Sequence, residues 1–299
     1  MEVGKKVITR RDFIRVGSCL TVGSLMGLPL IGPVSAKNSE KSRVVLVRDE
    51  SVIGSRGQLN QEILQEMLDE AVTILLDTAD PVLAWKKLVT PSDIVGIKTN
   101  VWHHLPTPEP LEAVIQKRLV GAGVKKENIS ADDRGVLENS VFEQSTVLIN
   151  VRPMRTHHWS GLGTLIKNYI TFVPHPWKYH GNSCETLGAI WQLPHVAGKT
   201  RLNILVMLTP LFHGVGPHHF SSSYSWPYSG LIVSRDPVAA DATGARVIQA
   251  KRNTFFGTAK PISPPPLHIA AAGNRFGLGN IQAEKIQLIK LGWEKDLLI

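Results

Sequence analysis

Short apolar runs alternate along most of the chain with stretches whose apolar residues recur every three or four positions. Residues 43–48 (R-V-V-L-V-R) are nearly continuous in hydrophobicity, the pattern of a strand covered on both faces. Ile63, Leu64, Met67, Leu68, Ala71, Val72 and Leu75 then fall on one helical face, with Asn60 as the cap. Asp80-Pro81 opens a shorter helix to residue 88. Further strands are expected at residues 94–99, 129–131, 146–149, 202–209, 231–233 and 286–289. Helices are expected over 110–120, the residues after Gly163, 237–250 and 267–272. The alternation predicts an α/β fold, a mainly parallel sheet with helices on both faces. Residues 172–195, rich in Pro, His, Trp and Tyr, read as a long excursion over the sheet edge that could serve as a lid.

The first 36 residues stand apart from this pattern. Thr9-Arg10-Arg11-Asp12-Phe13-Ile14-Arg15 resembles a twin-arginine export signal, followed by a moderately apolar stretch over 16–31 and small residues, Val34-Ser35-Ala36, where cleavage is expected. The apolar stretch is interrupted by Ser18, Gly23 and Pro29 and is short for a membrane span. The reading is a signal peptide over 1–36, a linker over 37–42 and a single α/β domain over 43–299. The mature form has no permanent span and sits in the periplasm or is otherwise exported. The resemblance makes the twin-arginine machinery a partner, and it raises the expectation of a cofactor, since that route carries folded passengers.

Charge and cysteine content narrow the function classes. Of the net charge of +8, the five cations and two carboxylates of residues 1–36 supply three. The remainder is spread without runs, which favours small anions but is no nucleic-acid footprint. No recognition helix, zinc-finger spacing or aromatic–basic interleaving points to nucleic acid as a partner. Cys19 and Cys184 are the two cysteines. Removal of the leader leaves Cys184 alone, without disulfide or thiolate cluster.

Three segments, Val95-Gly96-Ile97-Lys98-Thr99-Asn100, Thr156-His157 with Thr164-Leu165-Ile166-Lys167-Asn168, and Ser234-Arg235-Asp236-Pro237-Val238-Ala239-Ala240-Asp241, resemble the family catalogued as domain of unknown function 362. Some members carry ferredoxin-like cysteine motifs. This chain has none, so no iron–sulfur cluster is expected. His157 followed ten residues later by Lys167 also resembles part of the site of the nickel-pincer lactate racemases, where the lysine holds the cofactor. That likeness implies an isomerase-like alternative.

Polar clusters follow the expected strands: Lys98, Asn100, His103 and His104; Asp132 and Asp133; Arg155, His157 and His158; His213, His218 and His219; Arg235 and Asp236. If those strands are parallel, the clusters share one rim, where α/β enzymes assemble sites. A small anion would be held by Lys167, Arg155 and Lys98, with Asn100, Asn168, Arg235 and Asp241 as further ligand-binding residues. His157 or His158 would act as the acid–base group, with Lys167 in the catalytic set. Lys167 is expected one turn inside a helix whose N-terminus favours anions. Asp241, among alanines, reads as a buried carboxylate needing a partner such as Arg235 or Lys98. The histidines also admit a divalent metal, held by His103, His157 (or His158) and His213 with a carboxylate such as Asp132. No P-loop, G-x-S-x-G elbow or Rossmann glycine fingerprint is present. The expected function is an exported enzyme acting on a small anionic ligand, with a non-catalytic periplasmic binding or accessory protein as the alternative.

Overall fold

The computed structural model describes residues 41–214 and 220–299. The leader reading and His218 and His219 lie outside the described residues. Glu40–Ile299 forms one compact unit. Its strands are β1 (Ser42–Arg48), β2 (Val95–Lys98), β3 (Ile129–Asp132), β4 (Val147–His157), β5 (Gly161–Gly163), β6 (Thr200–Leu211), β7 (Gly230–Ser234) and β8 (Ile286–Gly292). Its helices are α1 (Gln61–Leu76), α2 (Pro81–Leu88), α3 (Glu109–Gly121), α4 (Ser140–Glu143), α5 (Leu165–Asn168), α6 (Pro237–Phe256) and α7 (Leu267–Asn274), with short 3-10 turns between. Among the described residues no helix is long and apolar enough to cross a membrane.

All eight strands join one sheet in the order β3-β2-β4-β6-β7-β1-β8, with β5 folded back on β4. The ladders β3–β2, β2–β4, β4–β6 and β1–β8 are parallel. β7 runs antiparallel to both β6 and β1, and β5 is antiparallel to β4. The fold is therefore α/β with a mostly parallel sheet, as the alternation of elements predicts.

Alternate residues of each strand feed two cores. Val45, Val47, Ile97, Ile149 and Ile204 pack against α1, α2 and α3. Val44, Leu46, Leu148, Leu205 and Ile232 pack against α5, α6, α7 and the 3-10 segments after Tyr169. The caps form as expected. Asn60 accepts from Glu62 and Ile63 N–H at 3.0 and 3.3 Å, and Asp80 from Leu83 N–H at 2.9 Å.

Two departures from the expected elements shape the site. The strand expected over residues 146–149 runs on to His157, so the Arg-His stretch is strand rather than loop. The helix carrying Lys167 is a single turn of four residues. The reversal of β7 also carries Arg235 away from the other polar clusters. Ser234 pairs with Asn203 near the start of β6, whereas Arg155 pairs with Leu211 at its end. Arg235 is thus at the opposite edge of the sheet, exposed beside Lys86, Lys87 and Arg201.

Candidate functional site

The C-terminal ends of β2 and β4 meet α5 on the α5–α7 face, and their side chains there are polar although buried. β4 is buried along its full length, and its ladder with β6 is irregular between Pro153 and Arg155. Three residues apart on a regular strand, Arg152 and Arg155 would point to opposite faces. The irregularity brings both against Gly163. A Cβ there would lie 2.9 Å from Arg152 Nη2 and 3.3 Å from Arg155 Cγ. Gly163 leaves the room that the Arg152 guanidinium and the stem of Arg155 occupy. Gly161, at φ +71°, closes the return onto β4, and a Cβ there would meet the Pro264 carbonyl.

Four cations are buried in this cluster: Lys98, Arg152, Arg155 and Lys167, at 0, 3, 5 and 3% exposure. Lys98 donates to Asp133 Oδ1 at 2.5 Å and to the Thr99 carbonyl at 2.8 Å. The other oxygen of Asp133 accepts from Val101 N–H at 3.0 Å. Burial opposes the charge of Asp133, but Lys98, the Val101 N–H and Arg152 together hold its carboxyl below the usual range. Burial outweighs Asp133 at Lys98 and brings its ammonium down to about 8.

The two arginines are held differently. Arg152 Nη1 donates to Asn168 Oδ1 at 3.3 Å, while its Nε has no partner among the described residues. Burial, opposed by Asp133 and Asp241, brings Arg152 to about 10. Arg155 lies over the Trp102 ring at 4.1 Å, and its Nε and Nη1 have no hydrogen-bond partner among the described residues. Burial and then the charge of Arg152 pull it well below the ordinary guanidinium value. Asn100 Oδ1, Trp102 Nε1 and Thr156 Oγ1 are likewise buried without partners. Orphaned polar atoms on this scale are uncommon in a native interior. Here they gather at the ends of β2 and β4.

A seam of asparagines supports the cluster. Asn150 Nδ2 donates to Asn203 Oδ1 and to the Leu165 carbonyl, both at 3.1 Å. Asn168 Nδ2 reaches Asn150 Oδ1 at 2.8 Å and the Lys98 and Val151 carbonyls at 3.1 and 3.2 Å. Asn168 thus fixes α5 on the sheet and orients Arg152. The expected partner of Asp241 is replaced by the backbone. Its two oxygens accept from Leu165 and Ile166 N–H, both at 2.9 Å. The amide donors at the start of α5 are therefore taken by Asp241, and no anion is needed there. Burial still pushes Asp241 up to about 7 against these bonds, the Thr164 hydroxyl and Arg152.

Lys167 points into the same cluster. Its Nζ lies 3.8 Å from Cys184 Sγ. Burial, opposed by Cys184 and reinforced by Arg152 and Arg155, brings it to about 8. His157 Nδ1 accepts the Trp159 N–H at 3.2 Å, which leaves the proton of a neutral ring on Nε2. Burial, followed by Lys167 and Arg155, drives its basicity far below the ordinary histidine value. His157 is 7% exposed and stacks on His158, which packs on the exposed Trp159. Trp159 in turn stacks on His180 at 3.9 Å.

Of the residues expected in one site, Lys98, Asn100, Arg155, His157, Lys167 and Asn168 come together here, with His158 on the outer side. Arg235 does not, and Asp241 supports α5 from beneath. The metal set of His103, His157 and His213 is not assembled. Among the described residues, no three His, Cys, Asp or Glu side chains form a group able to hold an ion. His213 is 3.0 Å from Arg252 Nη1 and edge-on to Tyr224 and Phe256. His103 and His104 pack with Trp102, and His104 stacks on Phe220. Asp132 accepts from Gly135 N–H and Asn139 Nδ2. Among the described residues, these donors do not fit a metal held by side chains.

Arg152, Asn150 and Cys184 belong to this cluster beyond the expected set, and Asp133, expected at the rim, enters it as the partner of Lys98. Arg152 could have been found from its parity with Asn150 on one strand, had the strand been read past Ile149. No curated protein and no solved structure matches this chain. Two of the three resembling segments, but not Val95–Asn100, fall within residues 124–246, the span that matches the model of the family described as a domain of unknown function, DUF362.

Proposed function

We propose that this is an exported protein that binds a small carboxylate or phosphate at the ends of β2 and β4 and acts on it as an enzyme. The observation that carries the reading is Arg155, a buried guanidinium whose Nε and Nη1 have no hydrogen-bond partner among the described residues and which forms no ion pair there. Buried charges are ordinarily paired. The cluster holds four cations against the carboxylates of Asp133 and Asp241. Residues 215–219 contain no acidic side chain. A bound anion supplies the missing partner, and a guanidinium suits the planar, bidentate geometry of carboxylate and phosphate. Lys167 adds charge to it, and the Nε2–H of His157 adds a hydrogen-bond donor. Turnover is the further half of the proposal, with Lys167 as the group that exchanges a proton beside the anion and His157 as a neutral hydrogen-bond donor.

Titration calorimetry with oxalate and phosphate tests the binding. Lys98 and Lys167 are cations below about 8 and lose their charge as pH rises through that value. Affinity is therefore expected to fall between roughly pH 7 and pH 9, by about tenfold for one lost contact. Flat titrations for both anions at pH 7 would sink the reading.

The export half rests on Thr9 to Arg15. Replacing Arg10 and Arg11 by lysine is expected to leave the chain unprocessed in the cytoplasm, read by cell fractionation. Unchanged export of that variant would remove twin-arginine translocation from the proposal.

A further inference from the structure

We infer that Lys167 is a nucleophilic amine that condenses with the carbonyl carbon of a small oxo acid whose carboxylate is held by Arg152 and Arg155. This deepens the anion-site reading and rests on it.

The four buried cations are not equivalent. Lys98 has two oxygen acceptors, Asp133 and the Thr99 carbonyl. Arg152 has the Asn168 amide, and Arg155 has the face of Trp102. Lys167 has no oxygen acceptor among the described residues, and its contact in hydrogen-bond range is a thiol sulfur at 3.8 Å. A lysine kept as a counter-ion is ordinarily ringed by carbonyl or carboxylate oxygens, since an ammonium has three donors to satisfy. A sulfur neighbour supplies little of that.

The surroundings also disfavour the charged form. Burial and the two guanidinium groups act against the ammonium, and the balance stands at about 8. A substantial neutral fraction is present near pH 8. Desolvation beside other cations is a recognised way of turning a lysine into a nucleophile.

Cys184 does not compete for this role. Burial raises its thiol against the pull of Lys167, so it stays protonated. His180 is near enough to feel the charge of Lys167 and is only partly buried, and its ring stacks on the exposed Trp159.

The chemistry balances without an oxidant or reductant. The Nζ lone pair attacks the carbonyl carbon, and the carbonyl π pair moves to oxygen, which takes a proton from the amine. Loss of that hydroxyl with a second amine proton, as water, forms the C=N bond. The guanidinium groups hold the carboxylate throughout and keep the carbonyl carbon of a two- or three-carbon oxo acid near Nζ.

The test is reductive trapping on the full chain. The protein is incubated with pyruvate or glyoxylate, treated with borohydride and mapped by peptide mass. Calorimetry with oxalate is run alongside. The expected result is one reduced adduct on Lys167, suppressed by excess oxalate. Trapping is expected to be about tenfold faster at roughly pH 8.5 than pH 6.5, because the neutral amine reacts. Oxalate binding without any adduct would overturn the imine and leave the anion site standing. Absence of both binding and adduct would overturn the two readings together. Adducts spread over exposed lysines and indifferent to oxalate would also overturn the inference.

Discussion

Replacement of Arg155 by methionine is expected to weaken oxalate or phosphate binding by about 30-fold or more while raising the unfolding temperature of the ligand-free protein. The loss follows from removing a buried guanidinium whose Nε and Nη1 have no hydrogen-bond partner among the described residues. Truncating a buried, hydrogen-bonded charge pair costs about 2–5 kcal/mol of affinity. The gain in stability has the same origin. Arg155 is 5% exposed, with Nε and Nη1 unpartnered among the described residues. An apolar side chain of similar length removes that desolvation cost, and such replacements are worth about 1–4 kcal/mol. Against this stands the lost stacking on Trp102, roughly 1–2 kcal/mol. Calorimetric titration and thermal unfolding on the same sample read both effects. A variant that melts lower and binds oxalate unchanged would show Arg155 to be structural.

Asp241→Ala is expected to act the other way, costing about 2–4 kcal/mol of stability at pH 7. Asp241 is fully buried, and its carboxylate is the acceptor for the Leu165 and Ile166 N–H groups. Each buried N–H left without a partner costs about 1–3 kcal/mol, and the truncated side chain leaves a void as well. Relief from burying a partly ionised carboxyl offsets only part of this. The pH dependence has a definite sign. The native value near 7 lies above the unfolded value of 3.8, so the folded state holds the proton longer. The stabilisation linked to that proton is complete below about pH 4 and is lost as pH rises through 7. Denaturant unfolding from pH 4 to 8 should show this slope in the parent chain and a flatter profile in the variant. Parallel profiles would mean that Asp241 does not titrate in this window.

Where periodicity was strong, the elements were legible: α1 with its Asn60 cap, the buried β1 and the Asp236-capped α6 all lie where the pattern puts them. The site was legible by residue type but not by shape. Arg152 to His157 shows no apolar alternation, so it reads as loop. It is strand because β5 and β6 take up its backbone groups while Arg152, Arg155 and His157 gather in one charged cluster and Met154 enters the apolar core. The turn of β7 is a matter of connection. A parallel crossover needs a dozen or more residues, usually a helix. Residues 212–229 carry no helical periodicity. Read that way, the connection predicts an antiparallel β7 and removes Arg235 from the site. The partners of Lys98 and Asp241, Asp133 and two backbone amides, depend on packing and leave no trace in spacing.

Among the described residues β1 finds its ladder partners at Gly230–Ser234 and Ile286–Gly292, both far along the chain. On the ribosome, β1 emerges with nothing to pair with until nearly all of the chain has been made. Pairings this distant in sequence carry a large loop-closure cost and slow the folding step. The β1 ladders therefore close late relative to contacts that are local in sequence. The cationic cluster, built on β2, β4 and α5, can form its own contacts earlier in synthesis. An anion present while the chain folds would meet those contacts before the sheet is complete.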